Sequence, residues 1–138
     1  MLKDIPAQVY SGISFEKGVL PNLSILESCF IEDGLFINNK GDMPVIKRVS
    51  DYTKMIKDNI DNGNIISILE SELKNEVRVF GKVAQIASEY QLVFEGKSGV
   101  QTRYGVNLFQ LVLVADKWLI TSMCWDDKTD HSLLTVHV

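Results

Sequence analysis

Two carboxylates spaced two residues apart, Glu70 and Glu72 in "ILESELKNEV", and a cation followed by an amide, Arg103 and Asn107 in "RYGVNLFQLVL", carry the most chemical promise in this chain. On a strand, residues i and i+2 project to one face, so the two acids would be crowded. Crowding lifts one carboxyl towards the range of a general base at neutral pH. Glu72 is the candidate base, although such pairs commonly lie on a solvated sheet face; Glu89 and Asp33 are weaker candidates. The same alternation sorts Arg103, Gly105, Asn107, Phe109 and Leu111 onto one face and Tyr104, Val106, Leu108, Gln110 and Val112 onto the other. If the first set faces a cavity, Arg103 and Asn107 form a polar pair above the apolar floor of Phe109, the mixture that small-molecule pockets show. The plainer reading of Arg103 is an ion pair with Glu72 or Glu89, and that of Asn107 is satisfaction of strand backbone groups.

Other chemistries lack their side chains. The two histidines, His131 and His137, sit near the C-terminus, so the body of the chain offers no imidazole for proton transfer or for orienting a nucleophile. No zinc or calcium ligand spacing is present, so no metal is expected. The glycines of "EGKSG" suit a hairpin and not a phosphate cradle, and no cofactor is indicated. Cys29 and Cys124 form no CxxC pair and read as small hydrophobes.

The elements that must position these residues change character once along the chain. A first helix runs from Asp4 with a proline in its first turn and continues towards Phe15 despite Gly12. In "PNLSILESCF", Leu23, Leu26 and Phe30 make a second helical stripe. "GLFINNKGDMPVI" reads as a hairpin, with Leu35–Ile37 and Val45–Ile46 flanking turn formers. Ser50 caps a third helix bearing Tyr52, Met55, Ile56 and Ile60, and Asn62-Gly63 stops it. Beyond Gly63 four long strands follow, Ile65–Phe80, Lys82–Glu95, Val100–Ala115 and Lys117–Trp125, an antiparallel meander. "DDKTDHSLLTVHV" reads as a loosely attached tail.

The 138 residues, 46% of them hydrophobic, suit one domain with a substantial core, residues 1–138 with the core at about 5–127 and a tail at 128–138. A net charge of -4 and the absence of a basic stripe argue against nucleic acid and anionic membrane surfaces as partners. No signal-peptide pattern or membrane-span window is present, so a cytoplasmic location is expected.

Helices first, then a small hairpin, a capped helix and a long meander carrying Phe80-Gly81, Ser88, Tyr90, Arg103, Gly105, Asn107, Gln110, Trp118 and Trp125 resemble the nuclear transport factor two-like superfamily, in its small bacterial branch related to polyketide cyclases and ketosteroid isomerases. The resemblance covers about residues 5–127. It implies an α+β cone in which N-terminal helices pack on a strongly curved antiparallel sheet, a pocket between the two layers, and a homodimer through the sheets. It does not imply one activity. In a cone, core side chains are also pocket wall, so Trp125, Met123, Tyr52, Met55 and Phe36 join Arg103, Asn107 and Phe109 as expected ligand-binding residues. The expected occupant is a small apolar molecule with a polar or anionic end facing Arg103 and Asn107. An isomerase- or cyclase-like enzyme with Glu72 as base, and a pocketless dimeric interaction module, are the alternatives.

Overall fold

The computed structural model describes residues 1–130. A single 3-10 turn leads into α1 (Ile5–Ile13), followed by α2 (Leu23–Ser28), β1 (Phe30–Asn38), β2 (Val45–Arg48), α3 (Val49–Asp61), β3 (Ile65–Phe80), β4 (Val83–Gly96), β5 (Gly99–Val114) and β6 (Lys117–Lys128). Pro6 opens α1, where its missing N–H costs nothing. Gly12 is needed there: a Cβ at this position would lie 2.8 Å from the backbone nitrogen of Leu26, so α2 approaches α1 more closely than any side chain would allow. α2 starts on Asn22, whose side chain accepts from the Ile25 N–H.

All six strands join one sheet in the order β2-β1-β6-β5-β4-β3. β3 to β6 form the antiparallel meander read from the sequence. The hairpin β1–β2 extends that sheet, and β1 pairs parallel with β6, which makes the sheet mixed and not purely antiparallel. Phe30 begins β1 instead of closing α2; the helix ends at Ser28, and the Ile120 N–H donates to the Cys29 carbonyl, so the ladder to β6 captures the chain first. α3 has Arg48 and not Ser50 at its N-cap. The putting of Asp126 and Asp127 in a tail is also corrected, because β6 runs through both to Lys128; His131 and His137 lie outside the described residues.

Two irregularities set which side chains face the helices. In β3 the pairing with β4 steps from Glu72↔Tyr90 to Lys74↔Glu89, leaving Leu73 as the extra residue of a bulge. Glu70 and Glu72 before it, and Asn75 and Val77 after it, therefore all turn inward, opposite Leu92, Tyr90, Ser88 and Ile86. In β6 a bulge at Thr121 keeps Ile120 and Met123 on the inner face. The core fills the space between this face and the helices: Val9, Tyr10 and Ile13 of α1, Leu26 of α2 and Ile56 of α3 pack with Phe36, Ile86, Tyr90, Phe109, Leu111, Ile120 and Met123. Among the described residues no helix is long and apolar enough to cross a membrane.

Candidate functional site

A cavity of about 190 Å³ lies between the sheet and α1 and α3. Its walls are mostly apolar, with Ile13, Met55, Ile56, Ile68, Leu92, Phe94 and Met123 beside the aromatic rings of Tyr52, Tyr90 and Trp125. Its polar lining is Asn38, Glu70, Asn107 and Asp127, with the exposed Lys40 also bordering it. A void of this size exceeds the roughly 150 Å³ that admits benzene and falls short of the roughly 300 Å³ at which drug-sized sites begin. A smaller recess of about 60 Å³, lined by Phe36, Tyr52, Met55 and Trp125, adjoins it. Stacking of Phe36 on Tyr52 at 4.0 Å between centroids, with Trp125 edge-on to Tyr52 at 6.3 Å, fixes this aromatic corner.

Of the residues expected to bind ligand, Asn107, Trp125, Met123, Tyr52 and Met55 line the main cavity, and Phe36 lines the recess. Phe109 is wholly enclosed in core behind the wall. Arg103 shares the inner face, as alternation predicts, but does not line the cavity. Its guanidinium pairs with neither Glu72 nor Glu89. Nε donates to Asp127 Oδ1, and Nη2 donates to the Asp127 carbonyl at 3.3 Å. Glu89 instead pairs with Lys74 at 3.0 Å. Asp127 also accepts from the Tyr90 hydroxyl at 3.2 Å, and the Tyr90 phenol is pushed far above its usual range, by burial first and by Asp127 next, so it stays a donor. Gly105 makes room for this cluster, because a Cβ there would stand 2.6 Å from both the Asp126 carbonyl oxygen and the Tyr90 ring.

Glu72 lies outside the lining of this cavity and is engaged elsewhere. Its Oε2 accepts from Ser88 Oγ at 2.6 Å and its Oε1 from Asn75 Nδ2 at 2.9 Å. Since the Ser88 hydroxyl proton is given to Glu72, Ser88 Oγ must accept from the Tyr10 hydroxyl, 2.7 Å away. Tyr10 then has only acceptor capacity left and receives Asn107 Nδ2 at 3.0 Å. Burial holds the Tyr10 phenol well above its ordinary range, with Glu70 adding to the shift, so the direction of this relay does not reverse. The relay fixes the orientation of the Asn107 amide. Its Oδ1 is left buried and without a hydrogen-bond partner on a side chain only 1% exposed.

Glu70 is the carboxyl of the pair that reaches the cavity. Its backbone N–H donates to Ser14 Oγ at 3.0 Å and its carbonyl accepts from the same hydroxyl at 3.3 Å, which ties β3 to the end of α1. No hydrogen bond or ion pair among the described residues engages the carboxyl itself. Burial, with a smaller contribution from the negative Asp127, lifts it to about 8, and Lys40 offsets this only in part. Alternation identified Glu70 and Glu72 as sharing a face; which of the two meets the cavity depends on where α1 and α3 lie. Asp127 was hidden by its place in a polar run, although Met123, Trp125 and Asp127 recur at every second residue and would have marked it. Among the described residues, no group of three or more metal-ligating side chains converges.

No protein-family model matches the chain, and no curated protein is detectably similar to it in sequence. Solved structures are similar to it in shape. A conserved protein from Planctomyces limnophilus superposes with a TM-score of 0.70 at 15% identity, over 92% of this chain and 93% of the other. A nuclear transport factor two-like protein of unknown function from Shewanella baltica gives 0.56 at 14% identity, over 92% and 90%. This chain has the nuclear transport factor two-like fold. A third neighbour, from Catenulispora acidiphila and in complex with S-DNPA, gives 0.63 at 13% identity, over 91% and 90%. At these identities the likeness carries the fold alone.

The raised Glu70 carboxyl has a stability consequence with a definite sign. An unfolded chain ionises Glu70 near 4.5, whereas the folded protein holds that proton to about 8. Between these values unfolding releases a proton, so the group favours folding fully below 4.5 and loses that contribution as pH rises to about 8. Glu70→Gln removes the loss. Thermal melts should show the variant gaining on the parent progressively from pH 5 to pH 8.5; a pH-independent difference would contradict a half-buried, unpaired Glu70.

Proposed function

We propose that the protein binds a small, largely apolar molecule in the cavity between sheet and helices, with the polar end of the ligand directed to Asn107 and Glu70. The observation that carries this reading is the pair of unpartnered polar groups in a mostly apolar void: Asn107 Oδ1 and the Glu70 carboxyl. A buried polar atom left without a partner costs about 1 to 3 kcal/mol, a cost that a bound molecule would relieve. Arg103 takes no direct part, since Asp127 occupies its guanidinium; of the polar or anionic ligand end expected from the sequence, the anionic option loses its counter-charge. The cavity weighs against a pocketless interaction module. Titration of the protein with single-ring alcohols, ketones and amines, followed through Trp125 fluorescence, tests the reading. Leu92→Trp should fill the void and weaken every ligand at least tenfold, while binding that survives unchanged would place the site elsewhere.

Acid–base catalysis is the second reading, favoured by one observation. A carboxyl at about 8 beside an apolar void is poised to exchange protons near neutral pH, which is what a general acid or base requires. The isomerase- or cyclase-like alternative therefore rests on Glu70 in place of Glu72. Should a substrate be found, Glu70→Gln would lower turnover by about 100- to 10,000-fold with KM little changed, whereas unaltered turnover would leave binding alone.

The assembly we infer is a homodimer through the outer face of the sheet. Ala87, Leu108, Cys124, Ile37 and Ile46 align in one row across five strands on that face, with Leu108 50% and Ile46 58% exposed. Acids and bases flank the row, Lys74 with Glu89 on one strand pair and Lys128 with Asp126 on another, so the face carries both signs and suits a second copy of itself. Leu108→Lys should convert a dimer into a folded monomer in sedimentation equilibrium; a parent that is already monomeric at high micromolar concentration contradicts the assembly.

A further inference from the structure

The unpartnered groups of the cavity share one property: both can accept hydrogen bonds, Asn107 Oδ1 always and the Glu70 carboxyl most fully once it ionises. Asn107 Oδ1, an amide oxygen, can only accept, and the relay through Tyr10, Ser88 and Glu72 holds it in place by engaging an N–H of Nδ2. The Glu70 carboxyl sits in the same lining with no ion pair or hydrogen bond among the described residues. Asp127, the second acid of the lining, already has its cation in Arg103. The deep polar lining thus has acceptor capacity to spare and, apart from Arg103, which does not line it, no cation within. Its remaining lining includes the rings of Tyr52, Tyr90 and Trp125, with Tyr52 and Trp125 packed at 6.3 Å between centroids. Aromatic rings beside a carboxyl are the surroundings that stabilise an organic ammonium, through cation–π attraction and a charge-assisted hydrogen bond.

Resting on the binding function proposed above, we infer that the ligand is a protonated amine on an apolar body of about one ring, its ammonium paired with Glu70 and Asn107 Oδ1 offering a second acceptor to the ligand. The volume of about 190 Å³ sets the body size. Lys40 does not oppose this strongly. It is an exposed side chain at the border, screened by water, and it makes no ion pair with Glu70.

Binding of such a cation is coupled to proton release. Glu70 is faced by Asp127 from β6, Lys40 from the β1–β2 connection, Tyr10 from α1, Tyr52 from α3, Tyr90 from β4 and Glu72 on its own strand. Of these the three phenols stay protonated well above neutral pH. In the free protein Glu70 keeps its proton to about 8, and an arriving ammonium favours the ionised form. The proton leaves to solvent as the ion pair forms, so affinity rises with pH up to about 8 and levels off until the amine itself loses its charge.

The test compares 2-phenylethylamine with its uncharged and anionic counterparts, 2-phenylethanol and 3-phenylpropionate, by isothermal titration in two buffers of different ionisation enthalpy. The amine should bind at least tenfold more tightly than either at pH 8, release on the order of one proton at pH 7, and weaken by roughly tenfold per pH unit below that. Glu70→Gln should bring amine affinity down to that of the alcohol and abolish proton release; Lys40→Ala should strengthen the amine slightly. Alcohol or propionate binding as tightly as the amine, or amine binding without proton release, overturns the inference while the binding function stands. Failure of all three to bind, with the parent folded by thermal melt, overturns both.

Discussion

The hydroxyl of Tyr10 is the point on which the inner structure turns. It joins α1 to two strands of the sheet through buried hydrogen bonds, giving its proton to Ser88 and receiving the Asn107 amide. The chain of donors ends on Glu72, whose two oxygens accept from Ser88 and Asn75. Because the two hydroxyls between the amide and the carboxyl must each both give and take, the direction is set at one end and felt at the other. Removing the Tyr10 hydroxyl would orphan two buried groups at once, a loss of roughly 1 to 3 kcal/mol for each acceptor or donor left unpaired. The same constraint shapes the chemistry of the cavity, since it turns the Asn107 amide so that its oxygen is the atom left without a partner.

Two acids near the cavity have opposite fates for a simple reason. Asp127 lies where Arg103 and Tyr90 can reach it, and the cluster is possible because Gly105 leaves the space between them. Glu70 is enclosed by apolar wall and by Asp127 itself, which is the second cause of its reluctance to ionise. Arg103 pairs with Asp127 and not with Glu70. The fold thus satisfies one acid completely and leaves its neighbour as the most readily altered group in the interior.

Much of this arrangement is legible in the sequence. Period-two alternation placed Arg103, Asn107, Phe109 and Leu111 on one face, and in the structure the last three are buried on the helix side while Leu108 and Gln110 are exposed on the other. The four long strands and three helices follow from composition and turn residues. What alternation does not contain is distance between elements. It could not say that β1 would lie parallel to β6, because that pairing depends on how the hairpin swings back over the meander. Nor could it distinguish Glu70 from Glu72, whose surroundings are supplied by α1, α3 and the end of β6. Arg103 drew attention as the cation of the inner face, yet its charge is used internally by a residue that a polar C-terminal run had disguised.

The extra residue at Leu73 bears on how structures of similar fold are to be compared with this chain. Strand alternation is a running count, and an uncounted residue inverts every assignment on one side of it. With identities to similar folds at 12 to 16%, an alignment through β3 that omits a gap at this position would match the inward residues on one side of Leu73 to outward residues of the other protein. The two acids would then seem to be replaced by unrelated surface side chains, and a shared carboxyl at the position of Glu70 would go unnoticed. Superposition of backbones, which follows the ladder and not the count, is the comparison in which an equivalent of Glu70 can be recognised.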